Sequence, residues 1–311
     1  MCMSVSFTSH FFFWNTLFLT QRESQNSRSP TEHMETVFES ADLFLTSITC
    51  TPNNDIVGIT ANGQIVLINV ESKSSEVILE TDITARGLCQ ADEEGKTFFV
   101  TNPFDAEVVE VQDGETGTVP LFTSVEGRPF IAPSAVAVSP KDNEVFFTDA
   151  GVAGASSFDN PCGAVYRTIR DRKQVVALCG QGLVLPVAVA VDKWGYVYVC
   201  EQGANQLLRY VPEGNHFVGS VFYRFNGSMG PSGVCVRDDG TQFVSLQERN
   251  RGEIHVDGKV LVISAAGELK GEVVLPQCNL LGVCLSHDQS SLFVLALDDG
   301  TGTSIVYTVP L

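Results

Sequence analysis

The sequence predicts an all-β protein: one six-bladed β-propeller over residues 34–311. Three observations predict it. Short apolar runs, rich in β-branched and aromatic residues, alternate with Gly, Asn and Asp turns, and helical periodicity is nearly absent. A strand–turn–strand unit recurs six times along the chain. No low-complexity linker divides the 311 residues, so the repeat overrides length as a guide to domain count.

The clearest copy is Leu185 to Tyr210, LPVAVAVDKWGYVYVCEQGANQLLRY. Val187 to Val191 is a first strand. Asp192-Lys193-Trp194-Gly195 is a turn, with glycine free to take positive φ. Tyr196 to Cys200 is a second strand, and Gln206 to Tyr210 a third. The other copies are Ser47 to Ile59, Gly87 to Asn102, Ser134 to Asp149, Ser232 to Leu246 and Leu281 to Leu297. Their central first-strand residues are Thr49, Cys89, Ala137, Ala190, Cys235 and Cys284, at spacings of 40, 48, 53, 45 and 49 residues. All-strand repeats of that length are propeller blades. One blade cannot bury both faces of its sheet, so six must pack around an axis.

The last blade would leave an open edge, because only Thr303 to Val309 remains after Leu292 to Leu297. Glu35 to Glu39 (ETVFE) lies upstream of the first repeat. It is predicted to close the ring as the outer strand of the last blade. Ala61-Asn62-Gly63 reads as a hairpin turn within blade one. Ser220 to Phe225 reads as the outer strand of blade four. Blades three and five carry insertions, Ala150 to Cys162 and Glu248 to Gly258.

Residues 1–33 fall outside the repeat and read as a disordered or non-native leader. Phe11 to Leu19 is apolar but far below the roughly 20 residues of a membrane helix. It also lacks the basic start of a signal peptide. The formal net charge of −18 argues against nucleic acid and anionic membranes as partners. Nine cysteines follow no metal-ligand spacing, and Cys89, Cys235 and Cys284 hold the repeat position filled elsewhere by Ala or Thr. Small buried thiols, not disulfides, are expected. A monomer in the cytoplasm is the expected setting.

In a propeller the first strand starts at the rim where the second ends. A ligand site is therefore expected at the channel mouth, built from first-strand starts (Arg86, Ser134, Ser232) and second-strand ends (Asn102, Asp149, Glu201, Gln247, Asp298). Paired carboxylates there suit a cation, an amine or acid–base chemistry. The same side chains equally suit capping of neighbouring turns. His216, His255 and His287 are scattered, and no nucleophile elbow, P-loop or HExxH motif is present.

PSAVAVSPKDNEVFFTDAG, GAVYRTIRDRKQVVALCGQGLVLPVAVAVDKWGYVYVCEQGANQLLRY and GPSGVCVRDDGTQFVSL resemble the gluconolactonase, regucalcin and strictosidine synthase-like superfamily. NHL-repeat propellers share the LPVAVAVDKWGYVYV stretch. The resemblance implies a six-bladed propeller with a small-molecule pocket at the channel mouth. In the gluconolactonase-like branch it implies a divalent cation such as Ca²⁺ held by Glu, Asn and Asp. The matching positions here are Thr46, Val187 and Ser232, and valine cannot ligate a hard cation. The catalytic Glu of strictosidine synthase falls at Ser286. No cofactor is therefore expected. Two functions remain: a small-molecule binder, with a lactone or ester hydrolase using Asp149, Glu201 and Asp298 as its catalytic variant, or a non-catalytic scaffold that docks a protein on its loop rim.

Overall fold

The computed structural model describes residues 34–92, 94–112, 118–152, 154–227, 229–250, 252 and 254–311. The predicted leader, residues 1–33, lies outside the described residues.

Six four-stranded antiparallel sheets form the blades. Their inner strands are Leu45–Cys50, Gly87–Gln90, Pro133–Val138, Pro186–Val191, Pro231–Val236 and Asn279–Leu285. The ring closes as the sequence predicts. Glu35–Ser40 pairs antiparallel with Thr303–Pro310, the last strand of blade six. Val37 and Phe38 bury there against Phe293 and Leu295, so the closing strand carries core as well as hydrogen bonds.

Six apolar clusters each combine residues of two adjacent blades. The second strand of each blade is thus covered on both faces. Ile56–Thr60, Val145–Asp149, Val197–Glu201 and Gln242–Leu246 are buried at every position. This explains why they read as continuous apolar runs rather than alternating ones.

Register explains the small residue at the centre of each inner strand. Cys89, Ala137, Ala190, Cys235 and Cys284 sit opposite Phe99, Phe146, Tyr198, Phe243 and Phe293. In blade one the larger Thr49 faces the smaller Val57. Cross-strand partners share one face, so each pair keeps a similar volume.

The turn at Asp192 is built as expected. Gly195 takes φ 84°, and the Trp194 and Tyr196 N–H groups donate to Asp192 Oδ1 at 2.9 and 2.8 Å. The outer strand of blade four runs from His216 to Arg224, starting four residues before the predicted Ser220. A tight turn with Gly214 at φ 62° pairs Glu213 with His216, which extends the ladder.

A short hairpin between blades two and three, Ser124–Val125 with Arg128–Pro129, was not apparent in the sequence. Glu126 and Gly127 both take positive φ at its tip, the geometry of a two-residue hairpin loop. Among the described residues no helix is long and apolar enough to cross a membrane.

Candidate functional site

In five of the six inner strands the register slips by one residue at the same place. The extra residues are Thr46, Ser134, Val187, Ser232 and Leu281. A bulge leaves its extra residue out of the ladder and re-aims its side chain. Arg86 holds the equivalent place in blade two, immediately before Gly87–Gln90. All six line the central channel, a cavity of about 630 Å³.

The hydroxyls of this ring are tied to the wall. Thr46 Oγ1 donates to the carbonyls of Ile59 and Ala85 at 3.2 and 3.3 Å. Ser134 Oγ lies 2.9 Å from Thr148 Oγ1 and donates to the Pro186 carbonyl at 3.0 Å, stitching blade three to blade four. Ser232 Oγ approaches both the carbonyl and the hydroxyl of Ser245.

Behind the ring runs a chain of amides across blades four to six. Gln202 Nε2 donates to Gln247 Oε1 at 2.9 Å, and Gln247 Nε2 donates to Asn279 Oδ1 at 2.9 Å. Asn279 Nδ2 donates to Asp299 Oδ1 at 2.7 Å, which ends the chain. The sequence reading named Gln247 but missed Gln202 and Asn279. Gln202 lies one residue beyond the second strand, in a 3-10 turn that swings it over the mouth. Asn279 starts its strand two residues before the bulge, and Leu280 holds the place where three other blades carry proline. Neither position differs in sequence pattern from an ordinary polar strand end.

Arg86 is the single charged residue lining the channel among the described residues. Its side chain makes no ion pair, hydrogen bond or ring contact with any of them. That side chain is exposed to the channel, and the walls around it partly desolvate the guanidinium and lower its pKa. The wall thiols are held protonated by burial, which pushes Cys89 up to about 12 and also raises Cys235 and Cys284. They are inert at neutral pH.

The structure brings Arg86, Ser134, Ser232 and Gln247 together at the mouth. It places Asn102, Asp149, Glu201 and Asp298 outside the channel lining, as the last residues of the second strands. Asp149 is 1% exposed. It accepts from the N–H groups of Ile131, Ala132 and Gly151 at 2.7, 2.8 and 3.1 Å. Glu201 accepts from the Val184 N–H at 2.8 Å and from Gln206 Nε2 at 2.7 Å. Asn102 Oδ1 accepts from the N–H groups of Phe104 and Asp105, and Asp298 from that of Gly300.

A divalent cation does not fit the ring. Val187 offers no donor atom, while the hydroxyls of Thr46 and Ser232 already bond to the wall. No group of three or more His, Cys, Asp or Glu able to hold a metal occurs among the described residues. Ser286 lies at the opposite rim, donating to Asp288 Oδ1 at 2.6 Å within a turn.

No family model matches the chain, and neither does any curated protein. Solved structures do match. A gluconolactonase from Xanthomonas campestris superposes with TM-score 0.71 at 16% identity, covering 89% of each chain. The fold is that of the gluconolactonase and regucalcin propellers. The calcium-binding regucalcin of Agrobacterium tumefaciens gives TM-score 0.69 at 13% identity, over 88% of this chain and 93% of that one. A chain of a nidogen/laminin complex gives 0.58 at 13% identity, over 80% of this chain and 91% of that one.

Proposed function

We propose that this propeller binds a small molecule in the mouth of its central channel, without a channel-bound divalent cation. The observation that carries this reading is the cavity of about 630 Å³, walled by small side chains and rimmed by polar ones. That size suits a drug-sized ligand. Its described lining holds no carboxylate, imidazole or amine, so no group stands ready as general acid or base. The reading is therefore binding rather than lactone or ester hydrolysis. The superposition on gluconolactonases supports the shape of the site, not its chemistry.

Gly282 supplies the test. A Cβ added there meets nothing within 4 Å, and the residue lines the channel. Gly282→Phe should plug the channel while sparing the wall. Melting temperature is followed against a metabolite library and against Ca²⁺, Mg²⁺, Mn²⁺ and Zn²⁺. Compounds that stabilise the parent but not Gly282→Phe place the ligand in the channel. Stabilisation by a cation that Gly282→Phe abolishes would overturn the metal-free reading. A library whose hits act equally on both proteins would overturn the channel reading.

A protein docked on the loop rim is the second reading. Phe104, Phe158 and Ile254 are 81%, 74% and 66% exposed. All three lie in connections after second strands, on the side of the mouth. A partner lost on Phe104→Ser with Phe158→Ser, and retained by Gly282→Phe, would favour it. We place the protein as a monomer in a reducing compartment. The eight described cysteines are free thiols.

A further inference from the structure

We infer that the ligand is an organic oxyanion, a carboxylate or phosphate ester, whose charged head pairs with Arg86 while its apolar body lies along the channel wall. This rests on the channel reading above and names the chemical class of its ligand.

The formal net charge is −18, yet the charged side chain lining the channel is a cation. Arg86 lines the cavity with its side chain open to the channel solvent and no described residue paired with it. An unpaired cation inside a cavity of an acidic protein gives an incoming anion a fixed point to meet. A counter-charge from solution reaches it directly.

The neighbours narrow the class. Arg86 is flanked in the ring by Thr46 and Ser134, whose hydroxyl protons point to wall carbonyls. They have little donor capacity left for an anion. The guanidinium therefore does the recognising, and its planar fork suits two oxygens of one oxyanion. Across the ring Ser232 stands between Val187 and Leu281 with its hydroxyl bonded to Ser245, the amides of Gln202, Gln247 and Asn279 are bonded to one another, and Ala135, Ala188 and Ala190 add to the wall. With those polar groups engaged with the protein, the valine, leucine and alanine side chains between them suit an apolar body beside the charged head.

The test uses three probes that separate charge from body: benzoate, its neutral isostere benzamide, and inorganic phosphate. Binding to the full chain is followed by calorimetry and melting temperature. The expected result is that benzoate binds at least tenfold more tightly than benzamide or phosphate. Arg86→Gln should weaken benzoate at least tenfold and leave benzamide unchanged. Arg86→Lys, which keeps the charge without the fork, should fall between. Gly282→Phe should abolish the benzoate signal.

Benzamide binding as tightly as benzoate, and lost in Gly282→Phe, would overturn the anion inference while leaving the channel reading intact. Benzoate binding unaffected by Arg86→Gln would assign the anion to another surface and overturn the role of Arg86. Phosphate equal to benzoate would remove the apolar body from the inference. No benzoate binding at millimolar concentration overturns it outright. The library comparison with Gly282→Phe still decides the channel reading.

Discussion

The starts of the inner strands and the ends of the second strands meet at one rim, yet their side chains point to different places. Thr46, Ser134, Val187, Ser232 and Leu281 stand on bulges and line the channel. Asn102, Asp149, Glu201 and Asp298 end unbroken ladders, opposite Glu107, Ala164, Gln206 and Thr303. Asn102 and Asp298 then meet N–H groups of the loop that follows, Glu201 meets the N–H of Val184 ahead of its blade's first strand, and Asp149 meets donors from both sides. Backbone donors in such segments need acceptors, and these side chains supply them. A one-residue slip in the first strand thus separates a ring that faces solvent in the channel from a ring that fastens the fold.

The largest effect should come from the fastening ring. Asp149→Ala removes the acceptor of three backbone N–H groups, two of them anchoring the segment that leads into blade three. Hydrogen bonds to charged groups contribute about 1.5–3 kcal/mol each, and orphaned donors add cost. A loss of about 3 kcal/mol or more is expected in chemical denaturation. Asp149→Asn, which keeps one oxygen, should cost about half as much. A loss under about 1 kcal/mol for the alanine variant would remove the distinction between the two rings.

Two glycines sharpen the comparison within the channel wall itself. Gly233 and Gly282 hold equivalent places, each one residue after a bulge. A Cβ on Gly233 would stand 2.8 Å from Gly282 Cα and 2.8 Å from Ser245 Oγ. Inner strands five and six would have to part, at about 2 kcal/mol for Gly233→Ala. Gly282→Ala has open space and should leave the denaturation midpoint nearly unchanged. Equal costs would mean that the two sites do not differ in facing.

Glu201→Gln is a milder break of the fastening ring. The amide keeps one acceptor oxygen for the Val184 N–H but loses the charge and the second acceptor that Gln206 uses. About 1.5 kcal/mol is expected in the same assay. A stability unchanged from the parent would place Glu201 with the channel group.

The architecture was legible because it rests on period. The six copies, the turn at Asp192 and the closing role of Glu35 to Glu39 follow from apolar runs, turn residues and an unpaired edge. The site was less legible because it rests on register. Nothing in PSAVAV, PVAVAV and PSGVCV marks the second residue as the one that slips out of the ladder. Asp149 and Glu201 look like a pair of rim carboxylates until the N–H groups of Ile131, Ala132 and Val184 are placed beside them. Those donors belong to loops whose course depends on the unforeseen hairpin at Ser124–Pro129 and on the neighbouring blade. Gln202 and Asn279 were missed for the same reason, since an amide chain across three blades leaves no local trace.

Arg86 gives the smallest expected change in stability and the sharpest reading of the comparison. In the fastening ring a charge is held by its partners, so removing it destabilises. In the channel ring the charge has no partner, its side chain is open to the channel solvent, and the walls around it lower its pKa. Arg86→Gln should therefore leave the ligand-free protein within about 0.5 kcal/mol of the parent, or raise its stability. The linkage has a definite sign. A cation whose pKa is lowered by folding is disfavoured in the native state, so removing its charge cannot cost electrostatic stability. A loss of 2 kcal/mol or more in the absence of ligand would mean that Arg86 holds the ring together. It would then belong with Asp149 and Glu201 as a fastening residue, and the channel would contain no free charge for a ligand to meet.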